Sequence, residues 1–517
     1  MFCSIISATI RGIEARKVDV EVDISQGLPV FDMVGLLNSE IKESRERVRS
    51  GLKNTGYHLP PNRITVSLTP ANERKEGTGF DLAITAGLLV SMGVINKKSV
   101  ENTMIGGELS LDGQLRKIKG ILPMIIMAKE TNIKRFIMPY ENVKEALAID
   151  GVEIIGVKNI KDFVELTNNG YKNNQIEINK DEETAVKYPD FLDVCGQENA
   201  VRAALIAAAG AHHLLLVGPP GAGKSMIAQR IPSILPPMNL EESIEVTKIY
   251  SVFGDKSMNG LIRARPYRTP HHNITPQALV GGGYKAKCGE VTLAHGGVLF
   301  LDEFAEFSRK TVDYIRQPLE NGEINVSRND ANYNYPSDFM LVAATNPCRC
   351  GYYPDRNKCM CTDADVKKYM EKLKGPVLDR IDLCVSMYKT DIKEINKGGK
   401  YSSKELLKKV VKAREVQEER YKDFLKHENE QDESVNDQKI ILYNSKMNFK
   451  MLQRYCKLGE KEEKLLDLIY EKYDLSTRGY YKIIKVARTI ADLEDSADIK
   501  EEHILQAIAY RIDNLWC

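Results

Sequence analysis

The chain has 517 residues, of which 43% are hydrophobic and 28% are charged. This length exceeds what one hydrophobic core supports and predicts roughly two to four domains. The chain has 73 Lys and Arg and 72 Asp and Glu, so its charges balance and create no overall electrostatic field. Any contact with nucleic acid must therefore depend on a local patch of positive charge. The N-terminus lacks the features of a signal peptide, and the longest apolar run, LAITAGLLVSMGVI, is shorter than the ~20 residues that cross a bilayer. Together with ten cysteines in no disulfide-framework spacing, these features predict a cytoplasmic protein without membrane contact.

The first 169 residues alternate strand-like and helix-like segments. SIISATIRG and KVDVEVDIS have the period-two pattern of paired strands, and SEIKESRERVRSGLKNTG is an amphipathic helix that Asn38 or Ser39 would cap. Further predicted elements are the strands RITVSLT, TMIGGELSLDG, RFIMP and VEIIGV and the helix GILPMIIMAKETN. The pattern predicts an α+β or α/β domain over residues 1–169. Residues 170–189 are polar, lack apolar periodicity and are predicted to be a linker.

Residues 190–388 contain apolar strands with glycine-rich turns, and LLLVGPPGAGKSMIAQRI reads as a buried strand, a loop and a helix. The glycines let backbone N–H groups curl around the phosphates of ATP. Lys224 would reach the terminal phosphate oxygens, and the Ser225 hydroxyl would bind Mg²⁺. The predicted ATP-binding loop consists of Gly218, Pro219, Pro220, Gly221, Ala222, Gly223, Lys224 and Ser225.

Two later strands end in polar residues suited to the same chemistry. GGVLFLDEFAEF ends in Asp302, a candidate Mg²⁺ ligand, and Glu303, a candidate to polarise the attacking water. FMLVAATN ends in Asn346, whose amide could orient water against the γ-phosphate. Arg380 and Arg478 are candidates to neutralise charge on the transferred phosphoryl group, although an arginine taken alone more often forms a surface ion pair.

Four cysteines follow Asn346 closely, as two Cys-x-Cys pairs in NPCRCGYYPDRNKCMC. Four thiolates can hold one structural Zn²⁺, although Cys-x-Cys is tighter than the usual zinc knuckle. Free thiols and a redox switch are the alternatives. The candidate zinc ligands are Cys348, Cys350, Cys359 and Cys361.

The order of these parts resembles the AAA+ ATPases, and several longer stretches resemble the Mg chelatase-like AAA+ group and its ComM/YifB competence-related family. They are RPYRTPHHNITPQALVGGG, GEVTLAHGGVLFLDEFAEF, IRQPLENGEINVSR, FMLVAATNPCRCGYY, GPVLDRIDL and STRGYYKIIKVARTIADLE. The resemblance implies a P-loop AAA+ α/β domain at 190–388 and a C-terminal helical lid at 389–517. It further implies a homo-hexameric ring in which Arg380 is a finger acting on a neighbour's ATP and Arg478 is the sensor-2 arginine, acting within its own subunit or across the interface.

The N-terminal domain resembles the Lon protease fold in GGELSLDGQLRKIKGI and TPANERKEGTGFDLAIT. A serine–lysine dyad needs a serine beside a desolvated lysine. EGTGFDLAIT offers no serine, and Leu122-Pro123-Met124 stands where the lysine would be. The domain is therefore predicted to be non-proteolytic. It is expected to be a platform for assembly or DNA contact, as in the similar RadA-type proteins, or a packing module without a ligand.

The resemblance implies a motor that couples ATP hydrolysis to DNA translocation, as a helicase or branch-migration enzyme in the recombination of incoming DNA during natural transformation. Its expected partner is single-stranded or branched DNA. Residues 256–289 hold no acidic residue and are predicted to contact DNA phosphates, with an inter-subunit or nucleotide-facing loop as the alternative. The candidate DNA contacts are Arg263, Arg265, Arg268, Lys285 and Lys287.

Two other functions remain open at this point. One is the ATPase motor of a magnesium chelatase, which inserts Mg²⁺ into a porphyrin and shares the ATPase core. The other is a non-enzymatic scaffold, which the full set of phosphate-binding residues disfavours. Adjacent His271 and His272 on a loop point different ways, which favours a structural or phosphate-contact role over a metal site.

Overall fold

A computed structural model describes residues 1–36, 38–72, 75–171, 188–254, 260–283, 287–328, 331–373, 377–429 and 443–511. Most of the predicted linker and Lys285 lie outside these ranges. Among the residues described, no helix combines the length and the apolar character needed to span a bilayer.

The N-terminal segment forms a seven-stranded sheet in the order β3-β4-β2-β1-β5-β8-β9. Its strands are β1 (Phe2–Arg11), β2 (Glu14–Ser25), β3 (Val30–Val34), β4 (Arg63–Thr69), β5 (Thr103–Ile105), β8 (Arg135–Pro139) and β9 (Glu153–Val157), with β6 (Glu108–Leu109) and β7 (Leu115–Arg116) as a separate ribbon. Its helices are α1 (Ser39–Thr55), α2 (Asp81–Ser91), α3 (Ile121–Glu130), α4 (Val143–Ala146) and α5 (Ile160–Asn168).

The predicted strand pair and helix cap are both present in this segment. β1 and β2 pair antiparallel from Phe2↔Asp23 to Arg11↔Glu14, and alternate residues of β2 are buried because successive side chains point to opposite faces. The Asn38 side chain accepts a hydrogen bond from the Ile41 backbone N–H at 2.9 Å, which caps α1.

The central segment contains a five-stranded parallel sheet in the order β11-β14-β17-β10-β18. Its strands are β10 (Leu214–Val217), β11 (Tyr267–Arg268), β14 (Val298–Leu301), β17 (Met340–Thr345) and β18 (Leu383–Ser386), and two hairpins pair β12 (Gly281–Gly282) with β13 (Lys287–Cys288) and β15 (Glu323–Arg328) with β16 (Ala331–Pro336). Its helices are α6 (Glu198–Gly210), α7 (Lys224–Arg230), α8 (Leu240–Phe253), α9 (Pro276–Val280), α10 (Glu290–Leu293), α11 (Arg309–Tyr314), α12 (Arg316–Asn321) and α13 (Asp363–Leu373).

This sheet is buried on both faces, which explains why its strands read as unbroken apolar runs. Leu214 and Leu216 of β10 belong to one hydrophobic cluster, whereas Leu215 and Val217 belong to another. The strands thus supply two cores, one on each face. The predicted mixed α/β class is confirmed.

The C-terminal segment is helical, with α14 (Ile392–Ile395), α15 (Ser403–Asn429), α16 (Phe449–Tyr455), α17 (Glu460–Lys472), α18 (Thr477–Leu493) and α19 (Glu501–Ala509). These helices do not form a core of their own, because one cluster runs from Phe191 to Tyr510 and includes one face of the central sheet. Buried Asp492 of α18 accepts hydrogen bonds from Arg420 of α15, from Asn444 and from Arg488 of its own helix. It thus joins α18 to α15 and to the segment of Asn444.

The N-terminal segment contacts the central segment through α3 and α8. The Gly120 backbone N–H donates to Ser251 O at 3.0 Å, and Lys119 Nζ donates to Phe253 O at 3.0 Å. Ser251 Oγ donates to the buried Glu145 carboxylate. The domain boundaries at 169, 190 and 388 stay predictions.

Candidate nucleotide site and neighbouring residues

Three neighbouring strands of the parallel sheet bring the predicted ATP-site residues to one edge. The glycine-rich loop follows β10, Asp302 follows β14 and Asn346 follows β17, and these strands are adjacent in the order β14-β17-β10. Because the carboxyl ends of parallel strands share one edge, segments far apart in the sequence converge there.

The loop after β10 has the backbone that its glycines predict. At Gly218 a Cβ would lie 2.5 Å from Met387 O, so a side chain has no space. Gly223 has a φ of 89°, a left-handed conformation that favours glycine. The loop therefore turns sharply between β10 and α7.

Lys224 and Ser225 are held at the centre of this edge. Lys224 Nζ donates to the carbonyl oxygens of Gly218 at 2.6 Å and Pro219 at 3.0 Å, and to Asn346 Oδ1 at 3.1 Å. Ser225 Oγ donates to Asp302 Oδ2 at 2.7 Å. Burial lowers the pKa of Lys224, which the charges of Asp302 and Glu303 partly oppose.

These residues line a cleft of about 680 Å³, within the ~300–1,000 Å³ of small-molecule pockets. Mg²⁺ prefers hard oxygen ligands, and the Ser225 hydroxyl and the Asp302 carboxylate supply two such oxygens side by side. The two residues therefore fit this ion. The cleft also includes residues that sequence reasoning missed: Asp193, Val194, Cys195, Gln197, Lys389, Thr390 and Ile395. Their segments carry no periodic pattern that would mark them in the sequence. The one hint is Gly196, because the backbone there approaches Thr390 so closely that a Cβ would lie 2.5 Å from Thr390 Cγ2.

Glu303 has an unexpected partner. Its backbone φ is 50°, its side chain is 57% exposed, and its Oε2 lies 2.9 Å from His272 Nδ1. The His272 ring packs on His271 with 4.2 Å between centroids. The sequence indicated a structural or phosphate-contact role for these histidines. In the structure, His272 contacts the carboxylate of Glu303, the candidate water-polarising residue.

Arg380 and Arg478 lie together, but away from the cleft. Neither belongs to the described residues that line it, and both line a second cavity of about 980 Å³. Both guanidinium groups contact Glu320 Oε1, with Arg478 Nη2 at 3.0 Å. Phosphate contacts by these arginines within the same chain are therefore not supported by their positions.

The four predicted zinc ligands converge. Their sulfurs all lie within 4.8 Å of one another, with Cys348 Sγ at 3.3 Å from Cys350 Sγ and 3.8 Å from Cys359 Sγ. Tetrahedral Zn–S bonds of about 2.3 Å place sulfurs about 3.8 Å apart, so the cluster fits Zn²⁺. A hydrogen bond from the Tyr352 backbone N–H lowers the pKa of Cys350 to about 6.

Two of the predicted DNA contacts form ion pairs within the chain. Arg265, only 10% exposed, pairs with Glu242 at 3.2 Å and donates to Gly296 O at 2.7 Å. Arg268 makes a two-point ion pair with Glu290, at 2.7 and 2.8 Å. The tract holds no acid of its own, but the fold places Glu242 and Glu290 beside these two arginines. Their role as DNA contacts stays a prediction. Arg263 and Lys287 are exposed, and Lys285 lies outside the described residues.

The stretch EGTGFDLAIT, where the resemblance to Lon places the nucleophile region, contains no serine. Its Thr78 hydroxyl donates to the Glu108 carboxylate, and at Gly79 an added Cβ would lie 3.5 Å from Ile118 Cδ1. Leu122, Pro123 and Met124 are buried in α3. The surroundings of Gly79 are thus apolar on this side.

Comparisons with known proteins identify the family of this architecture. Three family models match: "Magnesium chelatase, subunit ChlI" at 190–395, "Subunit ChlI of Mg-chelatase" at 20–142 and "Magnesium chelatase, subunit ChlI C-terminal" at 400–511. The chain is 37% identical over 507 residues to competence protein ComM of Haemophilus influenzae, covering 97% of this chain and 95% of that protein. It is 36% identical over 508 residues to the uncharacterized protein YifB of Escherichia coli, covering 98% and 96%.

A shorter similarity concerns Lon protease 2 of Bacillus subtilis. It is 34% identical over 185 residues, which is 32% of this chain and 33% of that protein. This match supports the Lon-like part of the predicted fold. With relatives that match along nearly the whole length, the chain belongs to the Mg chelatase-like AAA+ family that includes ComM and YifB.

Proposed function

We propose that the protein is a ring-forming ATPase that couples ATP hydrolysis to translocation along DNA, as a helicase or branch-migration motor in the recombination of incoming DNA. Membership of the Mg chelatase-like AAA+ family supports an ATPase that uses ATP and Mg²⁺. The observation that carries the proposal is the convergence of Lys224, Ser225, Asp302 and Asn346 at one sheet edge.

In this proposal the chain's own residues bind and orient the nucleotide. Lys224 exchanges its carbonyl partners for the terminal phosphate oxygens, and Asn346 and Glu303 orient the attacking water. Mg²⁺, held by Ser225 and Asp302, would supply charge neutralisation at the phosphates. Arg380 and Arg478 complete a neighbour's cleft, since both lie outside the cleft of their own chain. A homo-hexamer satisfies this requirement.

The DNA part of the proposal depends on two features. One relative that matches nearly the full length is named for competence, the uptake of external DNA. Arg263 and Lys287 are exposed cations in the segment between the phosphate loop and Asp302. Cations of this kind bind phosphates without reading sequence.

The second candidate function is a chelatase-type motor that drives metal insertion into a porphyrin. The descriptions of the three matching family models favour it. The match to competence protein ComM over nearly the full length favours the DNA motor. The four-cysteine loop serves either function as a zinc-stabilised structural element, since four filled positions leave no site for catalysis.

The test compares ATPase rates with single-stranded DNA, duplex DNA, a four-way junction and a porphyrin. We expect stimulation by DNA. The double variant Arg263→Glu/Lys287→Glu should lower DNA affinity and reduce the slope of log affinity against log salt by roughly 2. Its matched control is Lys404→Glu/Lys408→Glu, the same charge change on two exposed lysines of α15. Stimulation by the porphyrin alone would replace the proposal with the chelatase motor.

A further inference from the structure

Glu320 joins two cations that come from distant parts of the chain. Arg380 follows α13 in sequence, Arg478 lies in the first turn of α18, and both bind the same carboxylate oxygen of α12. Arg380 is 9% exposed, Glu320 is 42% exposed and Arg478 is 52% exposed. The buried guanidinium thus lies at the base of the cluster, and the other two groups face solvent.

A second ion pair fixes the two arginines relative to each other. Asp382, two residues after Arg380, pairs with Lys482, four residues after Arg478, at 3.0 Å. Both side chains are about 10% exposed, and Lys482 Nζ also donates to Ile381 O at 3.0 Å. Because Arg478 and Lys482 are one helical turn apart, this pair holds the segment of Arg380 against α18.

The charges in this cluster do not balance. One carboxylate between two guanidinium groups leaves a net charge of +1. Partial burial favours the neutral acid, but the two arginines outweigh this effect and hold the pKa of Glu320 below its ordinary value. A terminal phosphate carries more negative charge than a carboxylate and offers three acceptor oxygens, so it satisfies two guanidinium groups better.

We propose that Glu320 is a displaceable internal anion, which occupies the Arg380–Arg478 site in the isolated chain and yields it to the terminal phosphate of a nucleoside triphosphate bound to a second copy. This inference rests on the proposed function, because the phosphate must come from a neighbour's cleft. The exchange makes assembly depend on nucleotide. Without a neighbour's phosphate, the Glu320 carboxylate reduces the electrostatic repulsion between the two guanidinium groups.

The test is the Glu320→Gln variant, which keeps the shape of the side chain and removes its charge. ATPase activity per chain is measured over a range of protein concentrations at saturating ATP, and assembly is followed by light scattering. We expect half-maximal activity at a protein concentration about two- to fivefold lower than for the unchanged protein, the factor of a partly exposed ion pair. Activity at low protein concentration should rise accordingly.

Glu418→Gln is the matched control, because it removes an exposed carboxylate that pairs with Lys422 one turn away on α15. A fluorescent ATP analogue and a thermal melt verify that Glu320→Gln is folded and has an intact cleft. If Glu320→Gln lowers activity at all protein concentrations, as Arg380→Ala should, Glu320 positions the arginines and is not displaced. A concentration dependence equal to that of Glu418→Gln also overturns the inference. Normal turnover of Arg380→Ala in assembled rings would instead overturn the proposed role of the second cavity.

Discussion

Glu303, the candidate water-polarising residue, lines the same cleft as Lys224 and Ser225 and pairs with His272. Lys224 and Ser225 follow a buried strand and glycines, and that order predicts their position. The pairing of Glu303 with His272 was missed, because the two residues are far apart in the chain and neither has a distinctive local pattern.

Glu303→Gln should bind ATP and lose at least about a hundredfold in turnover, because an amide cannot accept the proton of the attacking water. Nucleotide affinity and phosphate release measure the two effects separately. Glu306→Gln, an exposed acid three residues later, is the control and should retain activity. Undiminished turnover of Glu303→Gln would remove it from the water-polarising role.

At the scale of loops, the cysteine loop (residues 348–361) lies directly against the phosphate loop (residues 218–225), the predicted ATP-binding loop. Gly351 has a φ of 88°, and a Cβ there would lie 2.6 Å from Pro220 Cδ. Cys348 follows Asn346, which accepts a hydrogen bond from Lys224, by two residues. The cysteine loop therefore packs directly against the predicted nucleotide-binding loop.

Purified protein should contain about one zinc per chain by metal analysis. Cys348→Ser should lose this metal and lower the thermal midpoint by several degrees, because the loop loses its cross-link. Cys288→Ser, outside the cluster, should keep the metal. Metal-free protein that is stable and active would disprove the zinc site.

Beside the contact between α3 and α8, Glu145 of α4 is a buried carboxyl group whose surroundings disfavour ionisation. Glu145 is 4% exposed, and its burial raises its pKa despite the hydrogen bond from Ser251 and the nearby charge of Lys117. A raised pKa means that the folded state holds the proton more tightly than the unfolded chain. Its stabilising contribution is thus present at low pH and is lost as pH rises through the folded-state pKa.

Glu145→Gln should therefore raise the free energy of unfolding at pH 7 by on the order of 1 kcal/mol, because it removes a buried charge and keeps an acceptor for Ser251. The gain should vanish below the ordinary pKa of glutamate. Thermal melts at several pH values measure it, with the exposed Glu141→Gln as control. A gain that does not change with pH would contradict this origin.

Considered as a whole, the chain carries two cavities that share no described lining residue. One holds the phosphate loop and the acids, and the other holds Arg380 and Arg478. Under the proposed function both sets act on one nucleotide, so a chain must combine with another copy. Heterologous contacts of this kind close into a ring when the rotation between copies closes.

Lys224→Ala and Arg380→Ala should each be nearly inactive alone, the first because it loses the main cation for the phosphates. Mixed in equal amounts, they should regain roughly a quarter of normal activity, because that share of random interfaces joins an intact cleft to an intact arginine. ATPase assays of reassembled mixtures measure this recovery. Mixtures of either variant with the Lys224→Ala/Arg380→Ala double variant should stay inactive. Failure to recover in well-formed mixed rings would count against action across the interface.

Sequence alone identified the mixed α/β class, the phosphate loop and its two partner strands, because buried parallel strands and their polar ends leave local patterns. It also identified the four cysteines as one cluster. Only the tertiary structure decided which charges meet. Arg265 and Arg268 lie in a segment without acidic residues, and the sequence does not show that Glu242 and Glu290 pair with them. No local pattern marks Glu320 as the partner of Arg380 either. An ion pair depends on the distance between two side chains, and when these come from remote segments the chain's fold, rather than its local pattern, sets that distance.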